Sequence, residues 1–128
     1  MATPIEVVTD FCAAYSEDRG RPAIRRWFTP KTLWVNVGIS ATTGIEEAIG
    51  MINELEKSMR IATVHIDMLA IAADGKRVLT ERLDRFERAD GSEIGRMTLM
   101  GIYEIEGDHI VAWRDYFDIN AVSKLAAG

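Results

Sequence analysis

Thiols and positive charge are scarce in this sequence of 128 residues. Cys12 is the only cysteine, which excludes an intrachain disulfide and a thiolate metal cluster and is typical of a reducing compartment. Fifteen Lys and Arg against twenty Asp and Glu leave a formal net charge of −5. Most of the surface would repel a polyanion, so nucleic acid is not an expected partner. The sequence starts without a basic segment or a long apolar run, so we expect no export signal, no membrane association and a cytoplasmic protein.

Several motifs of common enzyme classes are also missing. His65 and His109 are the only histidines and form no cluster with a third ligand, so no metal site is predicted. The sequence contains no Gly-x-Ser-x-Gly, no phosphate-binding loop and no dinucleotide fingerprint. A covalent mechanism with a Ser or Cys nucleophile therefore has no support, and no cofactor is predicted.

Helix signals are concentrated in the first half of the chain. The segment Thr3-Pro4-Ile5-Glu6 has the pattern of a capping box with proline at the first helical position, which predicts a helix start. A second short helix is expected from Arg21 through Phe28, ended by Pro30. Thr43-Gly44-Ile45-Glu46 resembles a second capping box and precedes a longer apolar helical repeat. Three helices are therefore predicted.

Strand signals dominate the second half. An alternating stretch from Thr32 to Ile39 predicts a first strand with Trp34 and Asn36 on one face. Three turn signals then separate four strands of a predicted antiparallel meander, over residues 61–73, 76–89, 93–106 and 109–119. Residues 120–127 are expected to add one or two helical turns.

This order of elements predicts an α+β fold. With 48% apolar residues and no repeat or linker, residues 1–128 are expected to form a single domain. Long strands that curl against a few helices give a cone-shaped, strongly curved, mostly antiparallel sheet wrapped around the three helices. Such a cone encloses an apolar pocket, which is a natural ligand site.

Charged residues occur on strand faces that otherwise belong to the core. If Phe86 points into the cone, Asp84 and Arg82 do too, because residues two apart share a strand face. Asp115 lies between two aromatic residues on the inner face of the last strand. A buried, unpaired carboxylate would cost several kcal/mol, so Asp115 needs a partner or a proton. One Arg82 guanidinium can serve both carboxyls, and the trio then carries a formal charge of −1.

A retained proton on one carboxyl would remove that charge, leaving one acid and one base beside the cavity. Two carboxyls in opposite protonation states are suited to general acid–base chemistry. The alternative is ordinary: Arg-x-Asp on a strand is most often an exposed pair that contributes little. The aromatic neighbours of Asp115 favour burial, although a dimer interface could reverse which face is buried.

The combination of Arg82-Leu83-Asp84, the run from Trp113 to Asp118, and Asn36 resembles the limonene-1,2-epoxide hydrolase family. That family belongs to the cone-shaped superfamily of nuclear transport factor 2, ketosteroid isomerase and the SnoaL-like polyketide cyclases. The resemblance implies one-step opening of an epoxide by water. It implies that Asp115 is the general base and Asp84 the general acid. It further implies that Arg82 orients both and that Asn36 holds the attacking water.

The resemblance also implies which residues contact the substrate, a lipophilic epoxide of terpenoid or alicyclic type. Trp34 stands where family members usually carry tyrosine, and its indole nitrogen can donate a hydrogen bond but cannot accept one; Trp34 either contacts the substrate or fills the core. The residues expected on the pocket wall are Phe86, Met97, Leu99 and Phe117. Weaker candidates for the wall are Ile49, Ile52, Met59 and Met68.

Two other functions remain open at this level. A ketosteroid-isomerase-like or polyketide-cyclase-like enzyme would need no held water, which Asn36 argues against. A non-catalytic ligand-binding module would gain nothing from three buried charges. We also expect a homodimer, because the outer sheet face carries an apolar patch made of Leu79, Leu83, Ile102 and Tyr116.

Overall fold

The computed structural model describes residues 2–127, and the side chains of residues 2–125. The helices are α1 (Pro4–Ala14), α2 (Arg21–Trp27), α3 (Gly44–Met59) and α4 (Ile119–Ala127), with a short 3₁₀ segment at Glu17–Gly20. The strands are β1 (Phe28–Asn36), β2 (Ser40–Thr43), β3 (Thr63–Asp74), β4 (Arg77–Glu87), β5 (Glu93–Glu106) and β6 (His109–Tyr116).

The six strands form one curved sheet in the order β2-β1-β6-β5-β4-β3. Strands β3 to β6 are the predicted antiparallel meander, and β1 runs parallel to β6. The parallel pairing places Asn36 opposite Asp115 and Trp34 opposite Trp113. The predicted α+β fold with a curved, mostly antiparallel sheet is therefore confirmed, and its register brings the polar residues of β1 and β6 together.

The two predicted helix starts have different local chemistry. In α1, Glu6 N donates to Thr3 Oγ1 at 3.2 Å and Thr3 N donates to Glu6 Oε1 at 2.9 Å, so the capping box is present. The second capping box is wrong in detail, because the Thr43 side chain makes no cap hydrogen bond. Glu47, not Glu46, reaches back to accept from Thr43 N at 2.9 Å.

The first strand begins earlier than its alternation predicts. The preceding helix ends at Trp27, and β1 already starts at Phe28 and ends at Asn36. Pro30 is tolerated inside this strand because the ladder to β6 is irregular between Phe28 and Leu33, where no backbone N–H donor is needed. The short strand β2, which pairs back onto β1, is not indicated by the sequence pattern.

An aromatic cluster between α1, α2 and the sheet forms the centre of the core. Phe11 of α1 makes edge contacts with Trp27 and Trp113, at centroid distances of 6.0 and 5.2 Å. Trp113 is stacked between two rings, Tyr103 at 5.2 Å and Trp34 at 4.6 Å. This stack fixes the middle of β1, β5 and β6 relative to one another, directly beside the buried charges.

The outer face of the sheet carries the apolar side chains expected there. Leu79 is 40% exposed and Tyr116 is 45% exposed, while Leu83 and Ile102 are half-buried. Pairing of two chains through this face stays a prediction. None of the helices within residues 2–127 has both the length and the apolar character needed to cross a membrane.

Candidate active site

A cavity of about 170 Å³ lies between the concave side of the sheet and helices α3 and α4. Most of its wall is apolar, and the polar groups on it include Asn36, Asp84 and Asp115. All four predicted wall residues line it, as do Trp34 and two of the weaker candidates; the full set is Phe86, Met97, Leu99 and Phe117, then Trp34, Ile52 and Met59.

Ile49 and Met68 do not line the cavity, so these two expectations are wrong. Ile49 is buried in the main core, 7% exposed, on a different part of α3 from the cavity residues Met51 and Ile52. Met68 packs against the core where the β3–β4 ladder changes register, and Ile66 takes the cavity position on β3 instead. Met68 pairs with Arg82 in the same register in which Ile66 pairs with Asp84, so both side chains lie on the inner face, and their places along the curved strand separate core from cavity.

Three charged side chains converge behind the cavity wall. Alternation along β4 turns both Arg82 and Asp84 inward, and Arg82 is completely buried. Arg82 Nη2 donates a hydrogen bond to Asp115 Oδ1, and Arg82 Nη1 lies 4.0 Å from Asp84 Oδ1. Both carboxyls line the cavity and Arg82 does not, so the guanidinium supports them from behind.

The two carboxyls have different environments. Asp115 Oδ1 accepts from Arg82 and from Trp113 Nε1, the latter at 2.7 Å. Asp84 Oδ1 is buried with no hydrogen-bond partner among the described residues. Two donors stabilise negative charge on Asp115, whereas Asp84 has only the more distant attraction of Arg82. The structure thus favours the ionised form at Asp115 and the protonated form at Asp84.

Burial is the largest influence on the pKa values of Asp84, Asp115 and Arg82. It raises the pKa of Asp84 from 3.8 to about 7, opposed by Arg82 and reinforced by the charge of Asp115. Burial also raises the pKa of Asp115, opposed by Arg82 and by the Trp113 hydrogen bond. Burial alone would lower the pKa of Arg82, but its neighbours, the two carboxylates among them, raise it above its ordinary value. With Asp84 protonated, the three side chains are neutral together.

The raised pKa of Asp84 predicts a stability change with pH. Between about pH 4 and pH 7 the folded protein holds a proton on Asp84 that the unfolded chain has lost, so this group contributes most stability at low pH. That contribution is lost as the pH rises through about 7. Asparagine at position 84 cannot exchange this proton, so the free energy of unfolding of Asp84→Asn relative to wild type should increase by about 3 kcal/mol from pH 4.5 to pH 8.

Urea denaturation at the two pH values measures this difference. Asp118→Asn is the matched control, because Asp118 is exposed and its capping of the Asn120 amide is a role that asparagine also fills. If the free energies of unfolding of Asp84→Asn and wild type differed by the same amount at both pH values, the raised pKa of Asp84 would be contradicted.

Gly101 is the backbone position that makes room for the ion pair. It lies opposite Asp115 in the β5–β6 ladder and opposite Thr80 in the β4–β5 ladder. A Cβ atom on Gly101 would collide with Asp115 Oδ1 and lie 2.8 Å from Arg82 Nη2. No larger residue fits beside the pair, which explains a glycine in the interior of a long central strand.

Two side chains on β1 complete the polar part of the cavity. Asn36 is half-buried, and its Nδ2 donates to Ser40 Oγ at 3.2 Å, which orients the amide. Trp34 is 4% exposed, lines the cavity and stacks on Trp113. The Trp34 Nε1 donor is buried without a partner among the described residues. Trp34 therefore fills the core and also reaches the cavity, so its position fits both alternatives, a core residue and a residue that contacts the substrate.

Sequence reasoning missed several cavity residues. Tyr15 and Arg19 line it from the segment after α1, Ser40 and Met51 lie beside Asn36, and α4 covers one side with Val122 and Leu125. The hydrogen bond from Trp113 could have been anticipated, because Trp113 and Asp115 share a strand face. The contributions of Arg19 and of α4 depend on chain folding that periodicity does not report.

His65 and Cys12, two other side chains that could be reactive, lie among ordinary structural contacts. His65 Nε2 lies 3.0 Å from Glu87 Oε1, at a half-buried position on β3. Within residues 2–127, no three His, Cys, Asp or Glu side chains are grouped as a metal ion would require. Burial raises the pKa of Cys12 to about 11, so this residue remains a thiol near neutral pH. Arg82, Asp84 and Asp115 are therefore the group of charged side chains that the structure brings together at this cavity.

The curved sheet with helices on its inner side is the fold of the nuclear transport factor 2-like proteins. The structure matches such a protein from Burkholderia pseudomallei, itself of unknown function, with a TM-score of 0.82 and 17% identity, over 100% of both chains. More specifically, the chain belongs to the limonene-1,2-epoxide hydrolase family, because the catalytic domain of that family matches residues 2–127.

Two relatives from Mycobacterium tuberculosis are similar to the chain. The epoxide hydrolase EphG is 29% identical over 87 residues, which cover 68% of this chain and 55% of EphG. The aligned region thus spans little more than half the length of that relative. A solved limonene-epoxide-hydrolase-like epoxide hydrolase has a TM-score of 0.76 and 22% identity, covering 97% of this chain and 84% of its own.

Proposed function

We propose that this protein is an epoxide hydrolase that adds water in one step to a compact lipophilic epoxide, of terpenoid or alicyclic type, and releases a vicinal diol. Family membership supports the reaction class. The observation that carries the proposal is the pair of carboxyls on one apolar cavity, where Asp115 accepts two hydrogen bonds at Oδ1 and Asp84 Oδ1 has none among the described residues. This asymmetry supports a base at Asp115 and an acid at Asp84.

In the proposed reaction, Asp115 takes a proton from water while the water oxygen attacks an epoxide carbon. The bond from that carbon to the epoxide oxygen breaks, and Asp84 donates its proton to the leaving oxygen. Water and epoxide together supply all the atoms of the diol. After the diol leaves, Asp115 releases its proton and Asp84 regains one from solvent, so no cofactor is consumed.

The water has two acceptors available in this arrangement. Asn36 Nδ2 is engaged by Ser40, which leaves the amide oxygen to accept one O–H of the water. Asp115 accepts the other O–H, at the oxygen not already bonded to Arg82 and Trp113. Both hydrogens are then held, and a lone pair of the water is free to attack. Trp34 Nε1 is a further donor on the same cavity and takes the place of the tyrosine hydroxyl usual in the family.

Arg82 acts through the two carboxyls and not on the substrate. It is completely buried behind them and contacts the rings of Tyr103 and Trp113 at 5.7 Å, which fix its position. Its charge keeps Asp115 ionised in an apolar wall, and its distance from Asp84, 4.0 Å, leaves that group able to hold a proton near neutral pH.

The pH dependence of diol formation tests this assignment. The acid must be protonated, and the pKa of Asp84 is about 7, so kcat should fall roughly tenfold per pH unit well above pH 7. On the acidic side the rate should rise with pH as Asp115 ionises. The measurement follows diol formation from a panel of alicyclic epoxides between pH 5 and pH 9, with an enzyme-free blank at each pH.

Asp84→Asn should lose most of the activity and also the fall in rate above pH 7. Asp118→Asn should keep the wild-type profile, since Asp118 is exposed. A wild-type rate that stays flat or increases between pH 7 and pH 9 would contradict an acid at Asp84. No diol from any epoxide of the panel would contradict the proposed reaction itself.

A further inference from the structure

Arg19 is a buried cation on the cavity wall that the proposed reaction does not use. It is 4% exposed and lines the same cavity as Asp84 and Asp115. Its Nε atom is buried without a hydrogen-bond partner, and no ion pair within 4.0 Å reaches its guanidinium from the described part of the chain. A charged group in such a place requires a compensating partner.

The backbone that presents Arg19 is strained. Asp18 and Arg19 have φ values of 43° and 60°, in the left-handed region that non-glycine residues rarely adopt, and Gly20 follows at 85°. The glycine is required here, because a Cβ on it would lie 2.6 Å from the Tyr15 ring. Two strained residues in succession persist only where the surrounding structure holds them, and such strain is concentrated at functional positions.

The nearby carboxylates are already engaged. Glu56 and Asp18 both bind Arg21, at 2.8 and 3.1 Å. Asp84 and Asp115 are arranged around Arg82, and the charges that act on the pKa values of these two groups do not include Arg19. Burial lowers the pKa of Arg19, yet a guanidinium stays charged in proteins. Arg19 also borders an outer groove with Glu56, whose charge favours the charged form of Arg19, but Glu56 forms its ion pair with Arg21. Among the described residues, no carboxylate forms an ion pair with Arg19, whereas Arg82 and Asp115 neutralise each other once Asp84 is protonated.

We propose that Arg19 binds a carboxylate of the substrate, so that the preferred substrates are apolar epoxides that carry a carboxylate away from the epoxide ring. A guanidinium matches a carboxylate with two parallel hydrogen bonds, and the pair is strong where water is excluded. The apolar body of the substrate would occupy the methionine- and leucine-lined wall. This inference rests on the proposed function only for the epoxide, and the carboxylate site stands on its own geometry.

Binding of ligands without an epoxide tests the carboxylate site separately from the reaction. The probes are cyclohexanecarboxylate, cyclohexylacetate and 3-cyclohexylpropionate, each compared with its neutral amide by titration calorimetry. Wild type should bind at least one carboxylate tenfold or more tightly than the matching amide. Arg19→Met should lose that preference, and Arg25→Met, which removes a charge from the exposed face of α2, should keep it.

Equal affinity of wild type for the carboxylate and the amide in all three pairs would overturn the inference, and it needs no variant to fold. An Arg19→Met protein with a native circular dichroism spectrum and an unchanged carboxylate preference would overturn it too. The reaction is tested apart from this, by diol formation from neutral alicyclic epoxides. Binding of the carboxylates without any diol formation would support the Arg19 site and contradict the hydrolase proposal.

Discussion

Asp115→Asn is expected to lower kcat for diol formation by at least about a thousandfold, within the range of roughly 10² to 10⁴ for a positioned general base. An amide cannot take a proton from water. Asparagine has the shape of aspartate, and its carbonyl oxygen can still accept from Arg82 Nη2 and Trp113 Nε1. The fold should therefore survive the change. Diol formation measured by chromatography, with circular dichroism and thermal unfolding of the same samples, separates the two effects.

Asp118→Asn is the control for this variant, since it makes the same chemical change three residues further along at an exposed position. It should keep wild-type activity. Equal turnover by wild type and Asp115→Asn would remove Asp115 from the role of base. A loss of activity accompanied by loss of the native spectrum would assign Asp115 to the fold instead.

Gly101→Ala is expected to damage both the site and the fold. The added methyl group would occupy the space of Asp115 Oδ1 and crowd Arg82 Nη2, so the ion pair must separate or the strands must move. Overpacking of this kind costs about 1–3 kcal/mol of unfolding free energy. Because the carboxyl positions depend on the pair, kcat should fall by about a hundredfold as well. Urea denaturation and the diol assay measure the two losses.

Gly50→Ala provides the matched control. Gly50 lies within α3, and a Cβ there meets no atom within 4 Å. Alanine at that position should leave activity unchanged and raise the free energy of unfolding by about 0.5–1 kcal/mol. If Gly101→Ala behaved like Gly50→Ala, the close contact between Gly101 and the ion pair would not constrain the site.

The meander and its buried charges could be predicted because they depend on local rules. Residues two apart share a strand face, so the aromatic neighbours of Asp115 and the position of Phe86 were enough to turn Asp115, Asp84 and Arg82 inward. Asp-Gly turns between alternating segments placed the strand boundaries close to those observed. The proximity of Asp115 and Arg82 then followed from the charge that each would otherwise bury alone.

Other features depend on register and tertiary packing and could not be read locally. The importance of Gly101 appears only when β4, β5 and β6 are aligned, because its neighbours come from different strands. The position of Arg19 depends on the left-handed backbone of Asp18, Arg19 and Gly20, which the sequence pattern does not predict. The errors at Ile49 and Met68 have the same origin, since core and cavity share one apolar face and only the observed curvature separates them.

The central claim is that water itself attacks the epoxide, with no covalent enzyme intermediate. A single turnover in water labelled with oxygen-18, using enzyme in excess over an alicyclic epoxide, tests it most directly. The proposed mechanism predicts one labelled oxygen in the first diol formed and no label in the enzyme. Unlabelled diol together with label in Asp115 or Asp84 would show that a carboxylate attacks the epoxide, and would contradict the claim.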